Sequence, residues 1–227
     1  MAKVSIVYHS GYGHTKVIAE AVVRGASSVP GTQVQLVSVE EIDKHWEALE
    51  ASDAIVFGTP TYMGSVSGPF KLFMDASAKV WFEQKWKDKL AAGFTNSMGL
   101  SGDKLNTLQT LAIFAAQHGM LWVSLGEMVE PDGVNRLSSY LGAMTQAGNV
   151  PPDQEPGSAD QATGRPWAGA WPRPRSAGPS PDRPGAGGWG RPPFGRTLRI
   201  GRRVLAHRTL GEFRADLSQE TVLSMTL

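Results

Sequence analysis

Three short loops hold most of the residues that could do chemistry. Ser10-Gly11-Tyr12-Gly13-His14-Thr15 follows an apolar run and opens onto a helical pattern. Its glycines let the backbone wrap closely around a ligand. Its N–H groups and the following helix N-terminus favour an anion, and the Ser10 and Thr15 hydroxyls add donors. A phosphate monoester fits that cradle. The alternative is that Ser10 merely caps the helix and the glycines merely turn the chain.

The second loop, Thr59-Pro60-Thr61-Tyr62-Met63-Gly64-Ser65-Val66-Ser67-Gly68-Pro69, offers a flat, polarizable wall in Tyr62 and Met63. The same two side chains could equally be ordinary core or rim residues. The third, Thr95-Asn96-Ser97-Met98-Gly99-Leu100-Ser101-Gly102, is polar and glycine-containing and also leads into a helix. One phosphate cradle beside two loops able to flank a ring and bond its polar edge describes a mononucleotide with a heteroaromatic head. Flavin mononucleotide (FMN) fits best.

Absences narrow the choice. Neither the dinucleotide fingerprint G-x-G-x-x-G nor the triphosphate loop G-x-x-x-x-G-K-[ST] is found in the first loop. His9-Ser10 and Thr59-Pro60 stand where a magnesium-dependent receiver domain needs carboxylates. The chain has no cysteine, which removes disulfides, thiolate metal sites and thiol nucleophiles. No metal site is expected.

The elements that must position these loops alternate. Apolar strand patterns at residues 4–8, 33–39, 54–58, 90–95 and 121–125 are separated by helical patterns at 14–28, 40–51, 67–78 and 103–118. Strands this apolar suit burial on both faces. The fold expected is therefore α/β, a three-layer doubly wound sheet of five parallel strands. In such sheets ligands sit beyond the carboxyl ends of the strands, where the three loops lie.

Ala2-Lys3-Val4 leading to Ser10-x-Tyr12-Gly13-His14, then Phe57-Gly58-Thr59-Pro60-Thr61, then Gln117-His118-Gly119-Met120, resemble the WrbA-type NAD(P)H:quinone oxidoreductases, which are flavodoxin-like FMN enzymes. The similarity runs through residues 1–163. It implies that residues 10–15 hold the FMN phosphate and ribityl chain and that Thr61, Tyr62 and Met63 contact the isoalloxazine. Asn96, Ser97, Met98, Gly99, Leu100 and Ser101 would hold the pyrimidine side, with Gln117 or His118 a further flavin contact.

The resemblance also implies that Tyr12 touches the nicotinamide nucleotide, and that Trp81 lines the quinone pocket, often from a neighbouring subunit. NADH or NADPH would be the donor, a quinone the acceptor, and the assembly a homo-oligomer, dimer or tetramer. The flavin carries the chemistry, so no side chain is assigned as a catalytic acid or base. The chain departs from the family at Tyr62, where many members have Arg, at the less glycine-rich 96–101 run, and at Gln117 in place of a first histidine.

Residues 164–227 are of another composition. They carry eleven Arg and no Lys against four acids, a net +7, whereas residues 1–163 sum to −6. Of residues 164–196, 26 are Gly, Ala, Pro or Arg, the amino acids of GC-rich codons, and Pro166 interrupts a helical start at Asp160. The division expected is an FMN-binding domain, 1–163, and an irregular or disordered tail, 164–227. A frameshift near codon 165 accounts for the tail. The competing reading is a natural basic, Pro-rich tail for nucleic acid or membrane lipids, using Trp167, Trp171 and Trp189. Nucleic acid is not the expected partner, because no folded nucleic-acid motif accompanies the charge. No apolar run reaches spanning length and no signal peptide precedes the first strand, so a cytoplasmic location is expected.

Overall fold

The computed structural model describes residues 1–130, 133–148 and 151. The tail at 164–227, with its frameshift or nucleic-acid reading, lies outside the described residues.

Strand β1 (Ala2–Tyr8) sends Val4, Ile6 and Tyr8 to one face and Ser5 and Val7 to the other, the two-residue period of a strand buried on both sides. Helix α1 (His14–Ser27) buries Thr15, Ile18, Ala19, Ala21, Val22 and Gly25 along one stripe. Strand β2 (Thr32–Ser38) pairs with β1 in parallel, and β3 (Ala54–Tyr62) pairs on β1's other side. Next come β5 (Leu90–Ser97) beside β3 and β6 (Leu121–Trp122) beside β5, giving the order β2-β1-β3-β5-β6. The order reverses between β1 and β3, which opens a crevice at their carboxyl ends.

Two cores cover the sheet. On one face Val7, Phe57, Phe70, Phe73, Trp86, Leu108, Leu111 and Phe114 interlock. They are backed by α3 (Gly68–Ala76), α4 (Ala78–Phe82) and α5 (Lys104–Gln117). The Phe57–Phe114 and Phe70–Phe73 rings meet edge-on at 5.2 and 5.3 Å, the geometry the ring quadrupole favours. On the other face Val4, Ile6, Val56, Ala92 and Phe94 pack under Ile18, Ala19 and Val22 of α1, the one helix on that side among the described residues. Gly58 is required here, because a Cβ at this position would fall 2.0 Å from Cζ of Phe94.

Four expectations are corrected. The second helix is split into a 3₁₀ turn at Val39–Lys44 and a short α2 (Trp46–Glu50). The third breaks at Ser77, whose hydroxyl donates back to the Met74 carbonyl at 2.7 Å. Strand β3 runs four residues past Gly58, because Thr59 and Pro60 continue in register with Thr95 and Asn96. Met63 (φ 49°) and Gly64 (φ 84°) then make a two-residue turn, and β4 (Ser65–Val66) returns antiparallel to β3. The fifth strand ends at Trp122. Its place along β5 is completed by β7 (Ala143–Gln146), parallel to Phe94–Ser97, after an excursion through residues 123–142. Trp122 Nε1 donates to the Leu141 carbonyl at 2.8 Å and fastens the return.

Candidate FMN site

A cleft of about 630 Å³, within the range of small-molecule sites, opens at the carboxyl ends of β1, β3 and β5. Tyr12, His14 and Thr15 line it from the first loop, Pro60, Thr61 and Tyr62 from the second, and Asn96, Ser97 and Met98 from the third. Ala147, Gly148 and Pro151 form a fourth wall that sequence reasoning missed. The signal was present, since Ala143-Met144-Thr145-Gln146 followed by Ala147-Gly148 repeats the strand-then-glycine pattern of the other loops.

The first loop is built to donate. Gly13 adopts a left-handed conformation (φ 91°) at the mouth of α1 and has no side-chain cap. Backbone N–H groups of Gly11, Tyr12, Gly13 and Thr15 make no hydrogen bond within the described residues. Ser10 stands three residues before the N-cap, and its Oγ accepts from Lys16 N–H in the first turn at 3.1 Å. The Ser10 hydroxyl proton remains available to an anion.

Beneath the second loop lies a buried hydroxyl cluster. Thr61 Oγ1 is 2.8 Å from both Thr95 Oγ1 and Thr107 Oγ1, all three buried, which ties β3 to β5 and α5. A second chain pairs His9 Nδ1 with Ser67 Oγ at 2.8 Å and Ser67 Oγ with Thr59 Oγ1 at 3.1 Å, joining the foot of the first loop to the hairpin. Burial lowers the His9 pKa, partly opposed by Glu40 at 3.5 Å. The Tyr62 ring meets Tyr12 edge-on at 6.2 Å, and its hydroxyl covers Gly11, where a Cβ would come within 2.7 Å of it. Burial, with Tyr12 nearby, raises the Tyr62 phenol pKa.

Asn96 is held from β7, where Thr145 Oγ1 donates to its Oδ1 at 2.8 Å. Ala147 N–H donates to the Ser97 carbonyl at 2.9 Å. Under the third loop the ammonium of Lys104, fully buried, donates to Ser97 Oγ at 2.9 Å and to the Gly99 carbonyl at 2.6 Å. Sequence reasoning missed Lys104 as well. A cation in the first turn of a helix opposes the macrodipole, and that anomaly was its available signal.

Several expected site residues lie elsewhere. Met63 is wholly exposed at the hairpin tip, because a two-residue turn projects its side chains outward, so it does not line this cleft. Gly99, Leu100 and Ser101 continue the third loop directly beyond Met98, the last of its residues to line the cleft. Gln117 and His118 sit at the far end of α5 from the cleft. His118 is packed against Trp86 at 4.5 Å and Phe114 at 4.9 Å. Its Nε2 pairs with Ser77 Oγ at 2.9 Å, while its Nδ1 and Trp86 Nε1 are buried without partners among the described residues. Trp81 is on α4, 44% exposed and outside the cleft of its own chain.

The residues present fit FMN. The N–H groups of Gly11, Tyr12, Gly13 and Thr15, without partners among the described residues, could receive a phosphate, and the cleft combines aromatic with amide and hydroxyl groups. Among the described residues no group of three or more His, Asp or Glu could hold a metal ion, and no helix is long and apolar enough to cross a membrane.

The strand order and the ligand loops beyond β1, β3 and β5 define the flavodoxin-like class. Residues 33–133 match the NADPH-dependent FMN reductase family. Flavodoxin FldP of Pseudomonas aeruginosa is 41% identical over 160 residues, spanning 65% of this chain and 82% of that protein. A solved flavodoxin, WrbA-like protein from Agrobacterium tumefaciens is 45% identical, with a TM-score of 0.61 over 74% of this chain and 93% of its own. Oxidised Flavodoxin 1 from Bacillus cereus, 15% identical with a TM-score of 0.53 over 74% of this chain and 96% of its own, shares the fold. The chain belongs to the flavodoxin-like FMN reductase family, a family of FMN-binding oxidoreductases.

Proposed function

We propose that this protein is a cytoplasmic FMN-dependent oxidoreductase that passes two electrons from NADH or NADPH to a quinone. The observation that carries the reading is the lining of the cleft. Its described residues include no carboxylate, and two tyrosines meet edge-on at its mouth. Such a wall accepts a planar, uncharged acceptor. It does not repel an anionic nucleotide.

FMN, when bound, supplies the two-electron chemistry. The first loop, residues 10–15, binds its phosphate through N–H donors and the α1 N-terminus. Thr61 and Tyr62 would lie along the ring, and residues 96–101 would bond its polar edge. Tyr12 contacts the nicotinamide nucleotide. The hydroxyl cluster holds Thr61 in place, where it would support the ring without lending a proton. Trp81 serves a neighbouring copy's quinone pocket in a homo-oligomer, dimer or tetramer. Its exposure on α4 beside Phe82, 80% exposed, supports that role. The functional domain is residues 1–163, and the arginine-rich 164–227 segment, read as a frameshift product, takes no part.

A second reading has its own support, because the 41% identical relative is a flavodoxin. On that reading the chain binds FMN and carries electrons without turning over quinone. A reductive titration, with NADH or NADPH oxidation followed in the presence of benzoquinone, separates the two. Quinone-dependent oxidation supports the enzyme. Abundant radical without nucleotide oxidation supports the carrier.

A further inference from the structure

The third loop has a hydrogen-bond polarity that the FMN reading does not by itself require. Four of its carbonyls are occupied from within. Ser97 O accepts from Ala147 N–H, Met98 O from Gln146 Nε2 at 3.3 Å, and Ser101 O from Lys104 N–H at 3.2 Å. Gly99 O accepts from both Lys104 Nζ and Ser97 Oγ. By contrast, the N–H groups of Met98, Gly99, Leu100 and Gly102 donate to no described residue. In a trans peptide the carbonyl and the next N–H point in opposite directions. Drawing the Gly99 carbonyl onto the buried ammonium therefore turns the Leu100 N–H out of the loop.

The ammonium is well placed to hold that orientation. Lys104 has no solvent exposure, and the loop closes tightly above it. Gly102 (φ 54°) and Asp103 (φ 55°) are both left-handed, and a Cβ on Gly102 would lie within 2.3 Å of Ser97 Oγ. Flipping the Gly99–Leu100 peptide would strip a charge-assisted bond from a buried ammonium, among the more costly hydrogen bonds to lose.

We propose that Lys104 is a positioning residue that locks the Gly99–Leu100 peptide with its carbonyl inward, so that the loop offers donors alone and favours an anionic ligand edge over a neutral one. The inference rests on the FMN reading. The acceptor edge of that ring, N1 with the C2 carbonyl, gains negative charge on two-electron reduction. Lys104 thus makes the site bind reduced FMN more tightly than oxidised FMN and raises the potential of the couple.

The test replaces the ammonium with an uncharged chain of similar length, Lys104→Met, and reads FMN affinity by fluorescence quenching and the two-electron midpoint potential of the complex. Oxidised FMN is expected to bind about tenfold more weakly, and reduced FMN a further tenfold, which lowers the midpoint by about 30 mV. Weaker binding with an unchanged potential would mean that Lys104 merely supports the fold, and would overturn the proposal. Unchanged binding would do the same.

Should the variant fail to fold, amide exchange in the wild-type protein decides. The Met98, Gly99, Leu100 and Gly102 amides are expected to exchange fast without FMN and slowly with it, and slowest when it is reduced. Fast exchange throughout overturns the proposal. A wild-type protein that binds no FMN defeats the functional reading and this inference with it, whereas bound FMN with an unshifted variant potential defeats the inference alone.

Discussion

His118 offers a prediction whose size follows from its surroundings. The imidazole is 4% exposed and packed between Trp86 and Phe114, and burial lowers its pKa to about 4. In the unfolded chain the ordinary value is about 6.5. Below that pH the unfolded state takes up a proton that the folded state refuses. Stability is therefore flat above neutrality and falls as pH drops from about 6.5 through about 4. At pH 5 the two values correspond to a loss of about 2 kcal/mol. Solvent beside the exposed neighbour Gln117 screens part of this, leaving about 1–2 kcal/mol.

For a domain of this size that is a fall in Tm of about 2–8 °C. The assay is thermal unfolding by circular dichroism at pH 7.5 and pH 5.0, for the wild type and for His118→Gln, which keeps a donor near Ser77 but does not titrate. The wild type is expected to lose that much more Tm between the two pH values than the variant does. His9 and the carboxylates contribute equally to both proteins. Equal losses would refute the claim that a buried, neutral His118 fastens α5 to the Ser77 elbow.

Gly58→Ala sets a methyl group 2.0 Å from Phe94 Cζ in the packed core, and is expected to cost about 1–3 kcal/mol in urea unfolding. Thr61→Val removes the shared partner of Thr95 and Thr107, with a similar loss of about 1–3 kcal/mol and weaker FMN binding in a fluorescence titration. Trp81→Ala, at an exposed position, should leave unfolding within about 0.5 kcal/mol of wild type while quinone turnover falls.

Where the sequence pattern was local and periodic, it read through to the fold. Residues 4–8, with Val4 and Ile6 on one face and Val7 on the other, read as a buried strand, and the three polar segments lie at the carboxyl ends of β1, β3 and β5 as expected. Contacts that depend on distant partners were not legible. The Thr59-Pro60 extension of β3 is fixed by register with Thr95 and Asn96, some 36 residues away. The local strand-then-glycine pattern at 143–148 does not say where that strand pairs, and the fourth wall is placed by β7 joining β5. The burial of Lys104 under the Gly99 carbonyl follows from how the loop folds back over the helix start, which no periodic pattern encodes. His118 carried a family motif, but its burial comes from Trp86, a residue with no periodic signal of its own.

The most direct measurement is to load the purified chain with FMN, add NADPH or NADH in separate runs, and follow nucleotide absorbance with and without benzoquinone. Stoichiometric FMN is expected, with nucleotide oxidation that continues, two electrons per quinone, until the quinone is exhausted. FMN that binds but never accelerates nucleotide oxidation, with either donor, would contradict it.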